Sequence, residues 1–176
     1  MSKKFLIIAL VAGVAGVAVL FVAAGLYAGT EVKDEIPMNN KAYKEHKESI
    51  LVFTHKKHMT EYAEKHPELY PNGCGDCHHE DKDGKSVPLK ELKEGDEVQN
   101  CIECHKIAAY IDTKTRKKKK LKKKDVINDY HANAMHQNCQ GCHKKFNKKM
   151  KLKSKDEGYA PTKAKCKMCH PKKKKK

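Results

Sequence analysis

Cys74-Gly75-Asp76-Cys77-His78-His79 is the stretch that decides how this chain is read. Its first five residues spell Cys-x-x-Cys-His. The same spelling returns at Cys101-Ile102-Glu103-Cys104-His105, at Cys139-Gln140-Gly141-Cys142-His143 and at Cys166-Lys167-Met168-Cys169-His170, and the four copies use all eight cysteines. Cys-x-x-Cys-His is the attachment pattern of c-type haem, in which two thiols add across the vinyl groups and the adjacent His ligates the iron. Four copies imply four covalently bound haem c groups. Eight cysteines could instead form four disulfides or two all-cysteine zinc sites, but neither requires a His after every second Cys.

The composition suits that reading. The 176 residues include no Trp and only four Phe, and 34% are charged, which is poor material for a protein-only core. Haem macrocycles would supply the missing apolar surface. The expected fold is a small multihaem cytochrome, mostly loops and short α-helices with little β, wrapped around a four-haem core.

Residues Phe5 to Ala28 carry no charge and follow Lys3 and Lys4, as in an export segment whose basic end stays in the cytoplasm. The run is long enough to span a bilayer, yet Val22-Ala23-Ala24 and Leu26-Tyr27-Ala28 end in residues that a signal peptidase accepts. Residues 1–28 therefore read as a signal peptide or an uncleaved N-terminal membrane anchor. Either way the remainder lies on the periplasmic side, where haem is attached after export.

Residues 29–50 read as a linker or loose arm, 51–171 as the tetrahaem domain with a Lys-rich insertion at 114–124, and 172–176 as a Lys tail. Leu51-Val52-Phe53 predicts a strand, and residues 59–66 a short helix ended by Pro67. Pro71-Asn72-Gly73 predicts a turn. Residues 80–100 read as an acidic surface loop. Ile102 to Ile111 and Gly141 to Leu152 are candidate helices.

Each motif provides a proximal ligand: His78, His105, His143 and His170. Seven histidines remain, His46, His55, His58, His66, His79, His131 and His136. Such an excess points to a second axial His on each iron, which fills both axial positions, leaves none for substrate and lowers the potential relative to His/Met ligation. His55, His58, His79 and His136 are the distal candidates, with His131 the rival of His136. Met38, Met59, Met135 and Met150 are the competing ligand type and are expected in linker, packing or surface roles. His78 and His79 are adjacent and point to opposite sides if extended, so their two irons would lie only about 10–17 Å apart.

Phe53-Thr54-His55-Lys56-Lys57-His58, followed by Cys74 to His79, resembles the opening of the class III cytochromes c. Tyr130-His131 and Met135-His136 ahead of Cys139 resemble their second half. The resemblance covers roughly residues 50–171. It implies a compact tetrahaem fold with bis-His iron and low-potential periplasmic electron transfer in anaerobic respiration, without enzymatic activity of its own. By this resemblance His55 serves the haem at Cys74, Cys77 and His78, and His79 the haem at Cys101, Cys104 and His105. His58 serves the haem at Cys139, Cys142 and His143, and His136 the haem at Cys166, Cys169 and His170. Many members carry a longer Cys-x-x-x-x-Cys-His at the second and fourth haems, which this chain lacks.

The formal net charge is +16, unevenly spread. Residues 1–110 carry 14 Lys against 17 Asp or Glu, whereas 111–176 carry 24 Lys or Arg against five acids. The basic half predicts an acidic redox partner, such as hydrogenase or another cytochrome, or contact with an anionic membrane or a membrane redox complex. Nucleic acid is excluded for an exported chain. The alternative function is a membrane-anchored tetrahaem quinol dehydrogenase passing electrons to a periplasmic partner, although about 45 residues separate the apolar run from the first motif. A multihaem oxyanion reductase would need an open iron, which four distal His would close.

Overall fold

The computed structural model describes residues 32–171. The apolar run expected as signal or anchor at 1–28 and the Lys tail at 172–176 lie outside the described residues. Among the described residues no helix is long and apolar enough to cross a membrane.

Val52–Phe53 forms the expected strand, and its partner is Ile36–Pro37, antiparallel, with Ile36 opposite Phe53 and Pro37 opposite Val52. Residues 32–50, read from sequence as a linker or loose arm, thus run back along the domain. The backbone N–H of Met38 donates to Leu51 O at 2.8 Å, and Lys56 lies 3.2 Å from the Asp34 carboxylate. Two helices of one turn or so follow, His55–Met59 and Glu61–Lys65. Helices this short do not stand alone in water, so tertiary packing holds them.

The segment expected as an acidic surface loop contains a hairpin. His79–Lys82 pairs antiparallel with Lys85–Pro88. Asp83 and Gly84 join the strands with φ of 54° and 73°, the left-handed pair that a two-residue hairpin turn needs. The dipeptide Asp83-Gly84 was the legible cue for it.

The helix expected over Ile102 to Ile111 is confined to Cys101–Cys104. Its start is a capping box: the Asn100 side chain accepts from the Ile102 N–H and the Glu103 carboxylate accepts from the Asn100 N–H. Beyond His105 the backbone turns to a distant partner instead of its own preceding turn. Ile107 N–H donates to Asp129 O at 2.8 Å and His131 N–H to Ile107 O at 2.9 Å. The Lys-rich segment is ordered as a helix, Thr113–Lys118, capped by the Asp112 carboxylate, and a second helix, Lys123–Asp129.

The longest element is the helix His131–Lys149, which extends ten residues further towards the N-terminus than the predicted Gly141 start. The chain closes with a single helical turn at Cys166–Cys169. Among the described residues, 32–94 and 98–171 form one compact unit that carries all these elements. Short helices and little sheet are what the composition led one to expect. Val126, at 3% exposure, is the only buried hydrophobic side chain among the described residues, while His131, Asn147 and Thr162 are buried polar ones.

Candidate haem site

Each Cys-x-x-Cys-His occupies one helical turn. In the first, the His78 N–H donates to Cys74 O at 2.9 Å; in the second, His105 to Cys101 O at 2.9 Å; in the fourth, His170 to Cys166 O at 2.8 Å. The third lies inside the long helix. Residues three and four apart share a helix face, so both thiols and the imidazole of each motif face one way, as two bonds and one ligand to a single macrocycle require. All eight thiols are free. Among the described residues no group of three or more His, Cys, Asp or Glu converges as a zinc site would need.

The eight predicted ligands come together in pairs. Ring centroids are 6.3 Å apart for His55 and His78, 6.1 Å for His79 and His105, 6.2 Å for His58 and His143, and 6.0 Å for His136 and His170. An imidazole nitrogen sits about 2 Å from a bound transition metal. Two imidazoles facing each other across one iron, with each ring's radius added, therefore have centroids about 6 Å apart. The His58 and His143 rings are inclined by 34°, while the other three pairs cross at 70–81°.

Hydrogen bonds assign the protons. Nδ1 of His105 donates to Asn128 O at 2.8 Å, that of His143 to Pro161 O at 2.7 Å, that of His170 to Ser49 O at 3.0 Å, and that of His58 to Thr54 O at 2.9 Å. A carbonyl only accepts, so each of these rings is protonated on Nδ1 and presents the Nε2 lone pair. Burial lowers the pKa of His58, His78 and His136, which favours the neutral form that ligates metal. Burial also pushes the half-buried Cys139 thiol up to about 11, helped by nearby Cys169 and Cys101, so attachment points from three motifs gather near the long helix. The residues fit covalently bound haem: paired imidazoles at metal-bridging distance, thiols in pairs on one face, and a polypeptide with almost no apolar core of its own.

His131 stands elsewhere. Its buried ring meets the Tyr43 hydroxyl through Nδ1 at 2.9 Å and the Tyr43 ring edge at 5.7 Å. His46 stacks on the Tyr43 ring, and His66 packs against Phe146. Met38, Met59 and Met135 are half-buried and Met150 is exposed.

Some supporting residues were not singled out from the sequence. Asn133 exchanges two hydrogen bonds of 2.9 Å with the Ile111 backbone, Asn138 donates to Cys77 O at 3.0 Å, and Asn147 exchanges two of 2.8 Å with the Ala160 backbone. The available cue was three Asn within one helix, where Asn is a weak former. Gly75, inside the first motif, is another. A Cβ there would lie 2.9 Å from the Leu89 carbonyl carbon and oxygen, at the point where Leu89 N–H donates to His78 O at 3.0 Å. Gly75→Ala is expected to lower stability by about 1–3 kcal/mol through this backbone overlap. An unchanged thermal midpoint in calorimetry would show that the hairpin yields freely.

A family model described as Class III cytochrome C family matches residues 30–170. No curated protein and no solved structure matches the chain.

Proposed function

The chain belongs to the class III cytochrome c family, and from that premise we propose a periplasmic, low-potential electron carrier with four covalently bound haem c groups, each iron held by two histidines. Class III cytochromes are electron-transfer proteins that carry covalently bound haem c and are typically periplasmic. The observation that carries the finer reading is the set of four imidazole pairs at 6.0–6.3 Å, each joining one motif His to one His outside the motifs.

When bound, each haem supplies a one-electron iron couple. The chain's own residues would keep those couples close. His78 and His79 are neighbours and would tie the first haem to the second. His55 and His58 share one short helix and would tie the first to the third. His136 and His143 lie seven residues apart on the long helix, about 10 Å by its rise, and would tie the third to the fourth. The resulting order is second, first, third, fourth, with short hops throughout.

A pyridine haemochrome assay and low-temperature EPR of the oxidised protein test this reading. Crossed imidazole planes leave the two iron π-type orbitals nearly degenerate, whereas more parallel planes split them. Three strongly anisotropic low-spin species and one more rhombic species are expected. A high-spin or His/Met species, or fewer than four haems per chain, would sink the scheme.

For a partner we favour an acidic redox protein such as hydrogenase. The Lys-rich helix Thr113–Lys118 begins just beyond Tyr110, a residue 53% exposed whose ring packs edge-on against His136 at 5.2 Å. Asn133 fixes Ile111 between them. Positive charge here would steer an acidic surface towards the fourth haem. Reduction by such a donor is expected to slow several-fold between low and physiological salt, checked by stopped flow; a salt-independent rate would remove the electrostatic account. Membrane tethering through residues 1–28 belongs to the same proposal.

A further inference from the structure

Asn147 follows His143 by four residues, so the two side chains share one face of the long helix. The strap at residues 159–162 passes along that face. Asn147 Nδ2 donates to Ala160 O at 2.8 Å, and its Oδ1 accepts from the Ala160 N–H at 2.8 Å. The next carbonyl, Pro161 O, accepts from His143 Nδ1 at 2.7 Å. Tyr159 and Thr162 close the strap with a hydroxyl–hydroxyl contact of 2.7 Å. Asn147 is 4% exposed, and its amide supplies the donor and the acceptor on two separate atoms, which a single hydroxyl does not.

The His58–His143 pair is distinct in a second way. Both of its rings donate Nδ1–H to a carbonyl, His58 to Thr54 O and His143 to Pro161 O. In the first and fourth pairs, His55 and His136 have buried Nδ1 atoms without a hydrogen-bond partner. An imidazole that gives its N–H to a carbonyl becomes a stronger electron donor through its other nitrogen. Outer hydrogen bonding of this kind is one of the levers a protein has on haem potential.

We infer that Asn147 is a positioning residue that tunes the third haem: it holds the Ala160–Pro161 strap so that the Pro161 carbonyl polarises His143, which together with the Thr54 carbonyl on His58 favours ferric iron at that haem. This inference rests on the bis-His reading of the pair.

The test uses the purified tetrahaem protein and a redox titration that follows each haem by its methyl NMR resonances. In Asn147→Leu the haem at Cys139 and Cys142 should be easier to reduce. Its oxidised-to-reduced ratio at fixed potential should fall about tenfold, which for one electron is about 59 mV. The other three haems should stay in place. Asn133→Leu cuts the equivalent clamp on Ile111 and should leave the third haem unmoved. In the reduced wild-type protein the His143 Nδ1 proton should exchange slowly with solvent, and faster in the milder Asn147→Ser.

An unmoved third haem in folded Asn147→Leu overturns the inference, as does an equal shift of all four. So does immediate solvent exchange of the wild-type His143 Nδ1 proton, a measurement that needs no variant. EPR separates the two failures. A third haem that is not bis-His brings down the ligand scheme and this inference together, whereas a bis-His haem with an unmoved potential brings down the inference alone.

Discussion

The chain produced without haem, with its eight cysteines replaced by serine, is expected to lose most of its helical circular dichroism and to give a collapsed amide NMR spectrum. Val126 is the sole buried hydrophobic side chain among the described residues. Its burial is worth about 1.5–3 kcal/mol, enough to offset the ordering of only about two residues at about 1–2 kcal/mol each. Six of the seven described α-helices have seven residues or fewer, too short to persist alone. The surface ion pairs Lys56–Asp34 and Lys65–Glu61 are exposed and add little. The one long helix, His131–Lys149, is the element with the best prospect of residual structure. Dispersed amide resonances and a cooperative melt in the haem-free chain would show that the polypeptide has a core of its own.

The second large effect separates His136 from its rival. His136→Ala is expected to convert one of the four low-spin haems to a high-spin species and to raise the potential of the haem at Cys166 and Cys169 by well over the 59 mV of a tenfold shift. His136 faces His170 at 6.0 Å, whereas His131 is committed to the Tyr43 hydroxyl at 2.9 Å. His131→Ala should leave all four low-spin signals intact and lower stability by about 1–3 kcal/mol, the cost of stranding a buried hydrogen-bond partner. EPR and thermal denaturation of the two variants read these effects side by side. The reverse outcome, a high-spin signal in His131→Ala and none in His136→Ala, would reassign the ligand.

Local features were the most legible in the sequence. The strand at Val52–Phe53 and the break before Pro67 follow from short-range rules, and the Asp83-Gly84 hairpin could have been read from its turn dipeptide. The helix expected over Ile102 to Ile111 stops at Cys104 because Ile107 pairs with the backbone around Tyr130, a competition that no local pattern reveals. The arm at 32–50 looked loose because its anchors are remote: Phe53 opposite Ile36, His131 against Tyr43, and His170 against Ser49 O.

The motifs carry the haem chemistry by themselves, because attaching one haem takes two thiols and an imidazole within a single helical turn, and a turn is specified by five adjacent residues. Which ring faces which was legible only through the family resemblance, and the structure brings the same four pairs together; which carbonyl each ring meets was decided by the tertiary structure alone. His58 and His143 are far apart in sequence, and His143 owes its carbonyl to a strap held by Asn147. Such pairings depend on where the chain returns after long loops, and spacing along the sequence carries no record of that return.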